Sequence, residues 1–274
     1  MFTDLRLAAR IDRAEASLCA GIVTAANHSG RSLVLPLAGG RAVYVSPGSP
    51  INKVIGIGFE GSLDIAQLDA VETAWSERGE PVRIELCSLT DPQIAQTLSQ
   101  RGYHLHGFEN ALGCCLQGLE KTAPSRITVS AIESEKDFRS WKDISVTSFT
   151  SMDGTGSVVD DPLEREQMES VLTEMTSAPG FHRYLAWLDG RAVGAASLRI
   201  DNRLAQMCGA GTLPEARGQG VQKALVYQRL LDSEAAGCDL AVVTTAPGSR
   251  SQENMMRRGF ALLYCRAVMI KTWD

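Results

Sequence analysis

Leu7, Ile11, Ala14, Leu18 and Ile22 recur at spacings of three and four, the apolar stripe of a helix. Apolar runs at 32–37, 41–45 and 53–59 follow, and the glycines and prolines between them predict turns joining short strands. The pattern then predicts a helix over 63–77, a strand over 82–86, and a helix over 91–100 with Asp91 as N-cap and Pro92 in its first turn. Strand material over 103–116 closes this half, and the polar, proline-containing stretch 118–126 reads as a linker.

The second half opens with a capping signal: Ser134 precedes Asp137 by three residues, ahead of a helix carrying Phe138, Trp141 and Ile144. A loop at 152–156 comes next. A second helix starts at Asp161-Pro162, with Met168, Val171, Leu172 and Met175 as its apolar stripe. The runs 184–188 and 192–200 flank Asp189-Gly190, the pattern of a β-hairpin. One strand is expected over 204–212, then a helix to about Ala235, a strand over 239–245, a short helix over 249–257 and a closing strand over 261–271.

The two halves share this order of elements. A shift of 157 carries Gly61 onto Gly218, Leu68 onto Leu225, Glu77 onto Glu234, and Arg101-Gly102-Tyr103 onto Arg258-Gly259-Phe260. At a slightly different offset, Gly40-Arg41-Ala42-Val43 repeats as Gly190-Arg191-Ala192-Val193. Most other aligned pairs differ, which leaves chance similarity and an unrelated α/β extension as the alternatives. The shared order of strand, helix and closing Gly-aromatic makes a duplication the expected reading, with domains over 1–120 and 126–274.

Composition narrows the function. With 274 residues, of which 44% are hydrophobic and 22% charged, the chain has material for the core of one large domain or two small ones. The N-terminus lacks the basic-then-apolar layout of a signal peptide, and no apolar run reaches the ~18 residues of a membrane helix. Cys114-Cys115 are adjacent and no Cys-x-x-Cys occurs among the seven cysteines, which points to a reducing cytoplasm over a disulfide framework. The net charge of −5 disfavours a large nucleic-acid footprint. Neither nucleic acid nor membrane is an expected partner, and the chain is expected to be a monomer or homodimer.

The sharpest local signal is Arg217-Gly218-Gln219-Gly220-Val221-Gln222, between a strand and a helix. A helix N-terminus exposes unpaired N–H groups and the positive end of the dipole. Glycines bring those groups close to an anion, and Arg217 can add a charge-assisted contact, so the segment can cradle a pyrophosphate. Neither a P-loop Gly-Lys-Ser/Thr nor a Gly-x-Gly-x-x-Gly is present.

The stretch from Thr212-Leu213-Pro214 through Val221 resembles motif A of the GNAT acetyltransferase superfamily, which reads Arg/Gln-x-x-Gly-x-Gly/Ala. The following strand, short helix and Arg258-Gly259-Phe260 also resemble that family, as does the order of elements from Ser134 to Ile200. The resemblance implies a mixed α/β fold, here as tandem GNAT-like domains, each a twisted mixed sheet flanked by helices. It implies acetyl-CoA as acyl donor, with no metal, bound in a V-shaped cleft between two parallel strands. Thr212 and Leu213 would offer backbone bonds to the pantetheine arm, and Arg217, Gly218, Gln219, Gly220, Val221 and Gln222 would surround the pyrophosphate. Gln222 departs from the glycine or alanine of many members. Ser251 and Asn254, on the following short helix, are further candidates for the cofactor, with helix-surface polarity the equal reading. The first half has Gly61-Ser62-Leu63 at the corresponding place, preceded by Glu60, and so resembles a degenerate repeat without the cofactor loop.

The chemistry the resemblance implies is attack of a primary amine, carried by a small-molecule or peptide acceptor, on the thioester. It requires a neutral amine, donors for the developing oxyanion and a proton for the thiolate. Backbone N–H groups near Thr212 and Leu213 are the expected oxyanion donors. Met255 stands where many members have the tyrosine that protonates the thiolate, which leaves an acyl-CoA-binding sensor or scaffold as the alternative to an enzyme. A phosphate-binding protein for other nucleotides is a third, weaker reading. Tyr264 is the nearest replacement acid, set against the simpler reading of a packed strand aromatic. Tyr227 reads as core, Cys208 as a buried strand cysteine set against the rarer reading of a covalent acetyl-enzyme nucleophile, and His104 and His106 as neighbours on one strand face without metal-ligand spacing. His182 precedes a strand near the cleft. The acceptor walls are expected at 152–161, with Asp153, Asp160 and Asp161, and at the turn Asp201-Asn202.

Overall fold

The computed structural model describes residues 2–25, 32–117, 126–150 and 165–273. The expected linker, apart from Arg126, and the expected acceptor wall 152–161 lie outside the described residues. The elements run α1 (Leu5–Ala25), β1 (Leu33–Leu37), β2 (Gly40–Tyr44), β3 (Lys53–Ile55), α2 (Ile65–Ser76), β4 (Val82–Cys87), α3 (Pro92–Gln100) and β5 (His104–Cys115). They continue as β6 (Ile127–Ala131), α4 (Glu135–Thr150), α5 (Arg165–Met175), β7 (Phe181–Leu188), β8 (Arg191–Asp201), β9 (Leu204–Gln206) and β10 (Ala210–Thr212). A single 3-10 turn at Pro214–Ala216 precedes α6 (Val221–Ala235), β11 (Leu240–Thr245), α7 (Arg250–Met256) and β12 (Ala261–Lys271).

The predicted caps are in place. Asp91 accepts from the Gln93 N–H at 2.9 Å to start α3, and the Ser134 hydroxyl accepts from the Asp137 N–H at 3.1 Å to start α4. A cap not predicted, Ser249, accepts from the Gln252 N–H at α7. Asp189, at φ 49, and Gly190, at φ 79, turn the β7–β8 hairpin as the Asp-Gly pair predicts.

The described residues form two compact units. Unit 1 comprises those up to Leu112 and those from Thr244 on, and unit 2 those between Gly113 and Val243. The division therefore does not fall at one point between 120 and 126. In unit 1 the strand order is β1-β2-β3-β4-β12-β5, with β3 and β4 parallel and the β1–β2, β2–β3 and β4–β12 pairs antiparallel. Its core is built around Trp75 of α2, Leu37, Val54, Ile84 and Leu98, and each such side chain contributes about 1.5–3 kcal/mol on burial. In unit 2 the order is β11-β9-β8-β7-β6, with β9 and β11 parallel and β10 paired to β8. Trp141, Ile144, Leu172 and Leu185 centre its core, and the Trp141 indole N–H donates to the Ala196 carbonyl at 3.1 Å. In each unit a helix bridges the parallel pair, as a parallel crossover requires: α2 between β3 and β4, α6 between β9 and β11.

The repeat is visible in the elements. The shift of 157 carries β3 onto the bounds of β10, α2 into α6, and β4, α3 and β5 onto β11, α7 and β12 to within a residue or two. The helix ends match bond for bond. Tyr103 N–H donates to Leu98 O at 3.0 Å and Phe260 N–H to Met255 O at 3.2 Å, around Gly102 and Gly259 at φ 90 and 86. The closing strands are exchanged. β12, the second repeat's last strand, pairs with β4 in unit 1, while Leu116 N–H, just after β5, donates to Asp239 O in unit 2.

Two expectations change. The strand over 204–212 is two strands, β9 and β10, interrupted at 207–209. β6 was not anticipated: it is short, and only Ile127 of it is buried. No helix of the described residues is long and apolar enough to cross a membrane.

Candidate functional site

The interruption at 207–209 is a β-bulge. Between Arg199↔Gln206 and Ala196↔Ala210, β8 advances three residues while the facing chain advances four. Ser197 N–H is shared between Cys208 O at 3.2 Å and Gly209 O at 3.1 Å. Pairing of β9 with β11 ends where Met207 N–H meets Val242 O at 2.8 Å, and beyond it β10 keeps β8 as its partner among the described strands. Leu213 N–H donates to Val193 O at 2.9 Å, so the pair 213/193 is the hydrogen-bonded kind. Alternation then turns the N–H and C=O of Thr212 and Ala210 away from β8, towards the open edge. Thr212 therefore presents the free backbone expected of it. Leu213 does not: its N–H is held by Val193 and its C=O accepts from Ala216 N–H at 2.9 Å.

The loop after β10 leaves a row of donors. The first intrahelical bond of α6 is Ala224 N–H to Gly220 O at 3.0 Å, so the N–H groups from Gly218 to Lys223 find no backbone acceptor among the described residues. Gly220 stands at the N-cap with φ 86 and Gly218 has φ 76, and a Cβ on either would meet nothing within 4 Å. Positive φ and open space are what a backbone cradle needs. Gln219 is exposed and folds back onto Glu215 O at 3.2 Å, Arg217 and Gln222 are half-buried, and Val221 is buried. Val221 anchors the helix start, because a Cβ on Gly194 of β8 would lie 2.4 Å from its Cγ1. On β10, a Cβ on Gly211 would lie 2.3 Å from the Ser148 Cβ, so the glycine admits the last turn of α4 beside the strand.

Unit 1 has no such cradle at the matching helix. Asp64 caps α2 with its own carboxylate, accepting Gln67 N–H at 3.1 Å, and Glu60 is paired with Arg13 at 2.6 Å. A carboxylate already occupies the place an anion would take.

Ser251 and Asn254 lie on α7, and Tyr264 on β12, all in unit 1. Ser251 is exposed and Asn254 half-buried. Tyr264 is 4% exposed, and its phenol donates to Asp12 Oδ1 at 2.5 Å within a buried network of Asp12, Glu15, Lys53, Glu85 and Arg266. Burial pushes the phenol well above its ordinary value, with the nearby Asp12 adding to the rise. The packed-aromatic reading describes this geometry. Met255 is buried.

Cys208 lies in the bulge and is half-exposed, not a buried strand residue. Tyr227 is half-buried on α6. His104 and His106 are both exposed on β5, His182 is exposed within β7, and no group of described residues could hold a metal ion. Asp201 ends β8, paired with Leu204, and Asn202 opens the β8–β9 turn with Arg203, whereas Asp153, Asp160 and Asp161 lie outside the described residues. Sequence reasoning missed the bulge and Gly209; the glycine at 209 inside an apolar strand pattern was the available signal.

Residues 139–260 match the family model described as the Acetyltransferase (GNAT) family. The chain is similar in structure to a GCN5-related N-acetyltransferase from Kribbella flavida, with a TM-score of 0.69 at 17% identity, covering 98% of this chain and 96% of that one. It is similar to a tandem GNAT protein from the clavulanic acid biosynthesis pathway, with a TM-score of 0.61 at 13% identity and 97% of each chain covered. A GCN5-related N-acetyltransferase from Sphaerobacter thermophilus gives a TM-score of 0.57 at 15% identity over 76% of this chain and 67% of that one. No curated protein matches the chain by sequence. The chain has the tandem GNAT fold, and its residues 139–260 carry the match to the acetyltransferase (GNAT) family model.

Proposed function

We propose that the protein is an N-acyltransferase that moves an acetyl group from acetyl-CoA to a primary amine by direct attack. The row of unpaired N–H groups from Gly218 to Lys223, reached from the open edge of β10, carries this reading. Those groups and Arg217 bind the pyrophosphate, and the Thr212 backbone pairs with an amide of the pantetheine arm. The amine nitrogen attacks the thioester carbonyl, the C–N bond forms, the C–S bond breaks, and the amine proton is lost as the thiolate takes one up. The carbonyl oxygen becomes negative on the way and needs a donor. Gly209 N–H supports that role, since it donates to no described group, whereas Leu213 N–H is already held by Val193. The domain around this loop is catalytic, and the first half, whose matching helix is capped by Asp64, is structural.

A second reading, an acyl-CoA-binding sensor or scaffold, is favoured by two observations: Met255 stands at the tyrosine position, and the Tyr264 phenol is committed to Asp12. A cytoplasmic location and a monomer or homodimer belong to either reading.

Calorimetric titration of acetyl-CoA into the wild type and Arg217→Glu tests the site. Saturable binding weakened about tenfold or more by the charge reversal is expected. Thiol release with a panel of primary amines separates enzyme from sensor. Folded wild-type protein, free of bound CoA, that takes up no acetyl-CoA would sink both.

A further inference from the structure

Helix α6 turns Val221, Ala224, Leu225, Val226 and Arg229 inwards, so an arginine occupies a core position one turn after Leu225. Arg229 is 2% exposed. Its Nε donates to Leu225 O at 3.1 Å, and its Nη1 donates to Ser197 O at 2.9 Å and Cys208 O at 3.4 Å. It makes no ion pair among the described residues. Burial draws its pKa down to about 10, opposed by Cys208 and Tyr184, which leaves it a cation at neutral pH. A buried cation held only by carbonyls is costly, and an apolar side chain of similar volume commonly serves folding as well or better.

Two of the carbonyls it holds, those of Ser197 and Cys208, lie on the two sides of the bulge. Cys208 C=O and Gly209 N–H belong to one trans peptide and point in opposite directions. Fixing Cys208 O towards Ser197 and Arg229 therefore turns Gly209 N–H away from β8, the same sense in which the N–H and C=O of Ala210 and Thr212 face. Ser197 N–H, shared between Cys208 O and Gly209 O, holds the carbonyls from the other side.

We propose that Arg229 is a positioning residue, which clamps the Cys208 carbonyl so that Gly209 N–H is aimed at the acyl carbonyl of a bound thioester. This rests on the reading of unit 2 as an acyl-CoA site. Arg229 touches no substrate; it acts through one peptide plane.

Acetyl-CoA and CoA share every group except the acyl, so the ratio of their affinities reads the bulge independently of the acceptor amine. Arg229→Met should stay folded by circular dichroism and thermal melting and bind CoA within about twofold of wild type. Its affinity for acetyl-CoA should fall about fivefold more than that for CoA, the worth of one hydrogen bond. Amide exchange at Gly209 and Ala210 should change in the same variant. Arg229→Lys, which keeps the charge but not the fork, should give an intermediate ratio and decides alone if the methionine variant does not fold. A wild-type ratio in the methionine variant, or in the lysine variant where that one decides, overturns the proposal, as does an equal loss of both affinities. Failure of the parent reading looks different: the wild type itself binds neither molecule, and both conclusions fall.

Discussion

The Tyr264 hydroxyl donates to Asp12 Oδ1 at 2.5 Å, joining the last strand of the chain to its first helix inside unit 1. Arg266 binds the same oxygen, from Nη2 at 2.6 Å and from Nε at 3.1 Å, and also reaches Glu15 at 2.7 Å and Glu85 at 3.5 Å. Burial raises the Asp12 carboxyl even though Arg266 and Tyr264 oppose it. A phenol in this setting is a structural donor to a buried acceptor, and removing it should weaken the fold before it touches acyl transfer.

Tyr264→Phe is accordingly expected to lower unfolding stability by about 1–3 kcal/mol, because Asp12 loses a donor it cannot replace with water. Its acetyl-CoA affinity should stay within about twofold of wild type. Urea titration and calorimetry on the same preparation check both halves. Unchanged stability with abolished thiol release would instead make the phenol the acid for the departing thiolate.

Gly220 at the α6 N-cap is held in the left-handed region, where an L side chain costs about 1–2 kcal/mol and only asparagine and aspartate are tolerated with any ease. Gly220→Ala should therefore lose both stability and acetyl-CoA affinity, as the first-turn N–H groups turn off their common target. Gly220→Asn should regain part of the stability without regaining the affinity, since its side chain enters the cradle. Equal recovery of both would show that the cradle tolerates bulk and that the N–H row is not the binding surface.

What was legible in the sequence was local. The caps at Asp91 and Ser134, the Asp189-Gly190 turn and the loop Arg217–Gln222 each arise from bonds spanning a few residues, and residue type alone fixes them. The repeat was legible for the same reason, since each Gly-aromatic ends a helix through its own backbone. The bulge was not, because periodicity over 204–212 continues across the extra residue, and Arg229 was hidden at a position the helical period assigns to an apolar side chain. The network around Arg266 was out of reach. Asp12 precedes it by 254 residues, and no local pattern marks charges that meet only through strand exchange within unit 1.

That network sets a pH dependence of two signs. Glu109 faces Glu85, Arg83 at 3.6 Å and Arg266 at 3.7 Å, with Lys53 and Glu15 further into the same cluster. Burial and the neighbouring Glu85 push its carboxyl up to about 7. Its folded pKa lies above the unfolded value, so its contribution to stability is complete below about pH 4.5 and is lost as pH rises through 7. Glu15 is the opposite case. Burial would raise it, but Arg266 and Lys53 prevail and hold it at about 2. Its contribution is present above about pH 4.5 and is lost as pH falls towards 2. Unfolding free energy should thus climb between pH 2 and 4.5 and decline between pH 4.5 and 7, each limb at up to about 1.4 kcal/mol per pH unit. Glu109→Gln, which keeps the shape without the titration, should make the declining limb shallower, the raised Asp12 carboxyl supplying the rest, and leave the rising limb, while Glu15→Gln should flatten the rising limb alone. Urea denaturation across this range decides it: an undiminished decline above pH 4.5 in the Glu109 variant would place the proton elsewhere in the cluster.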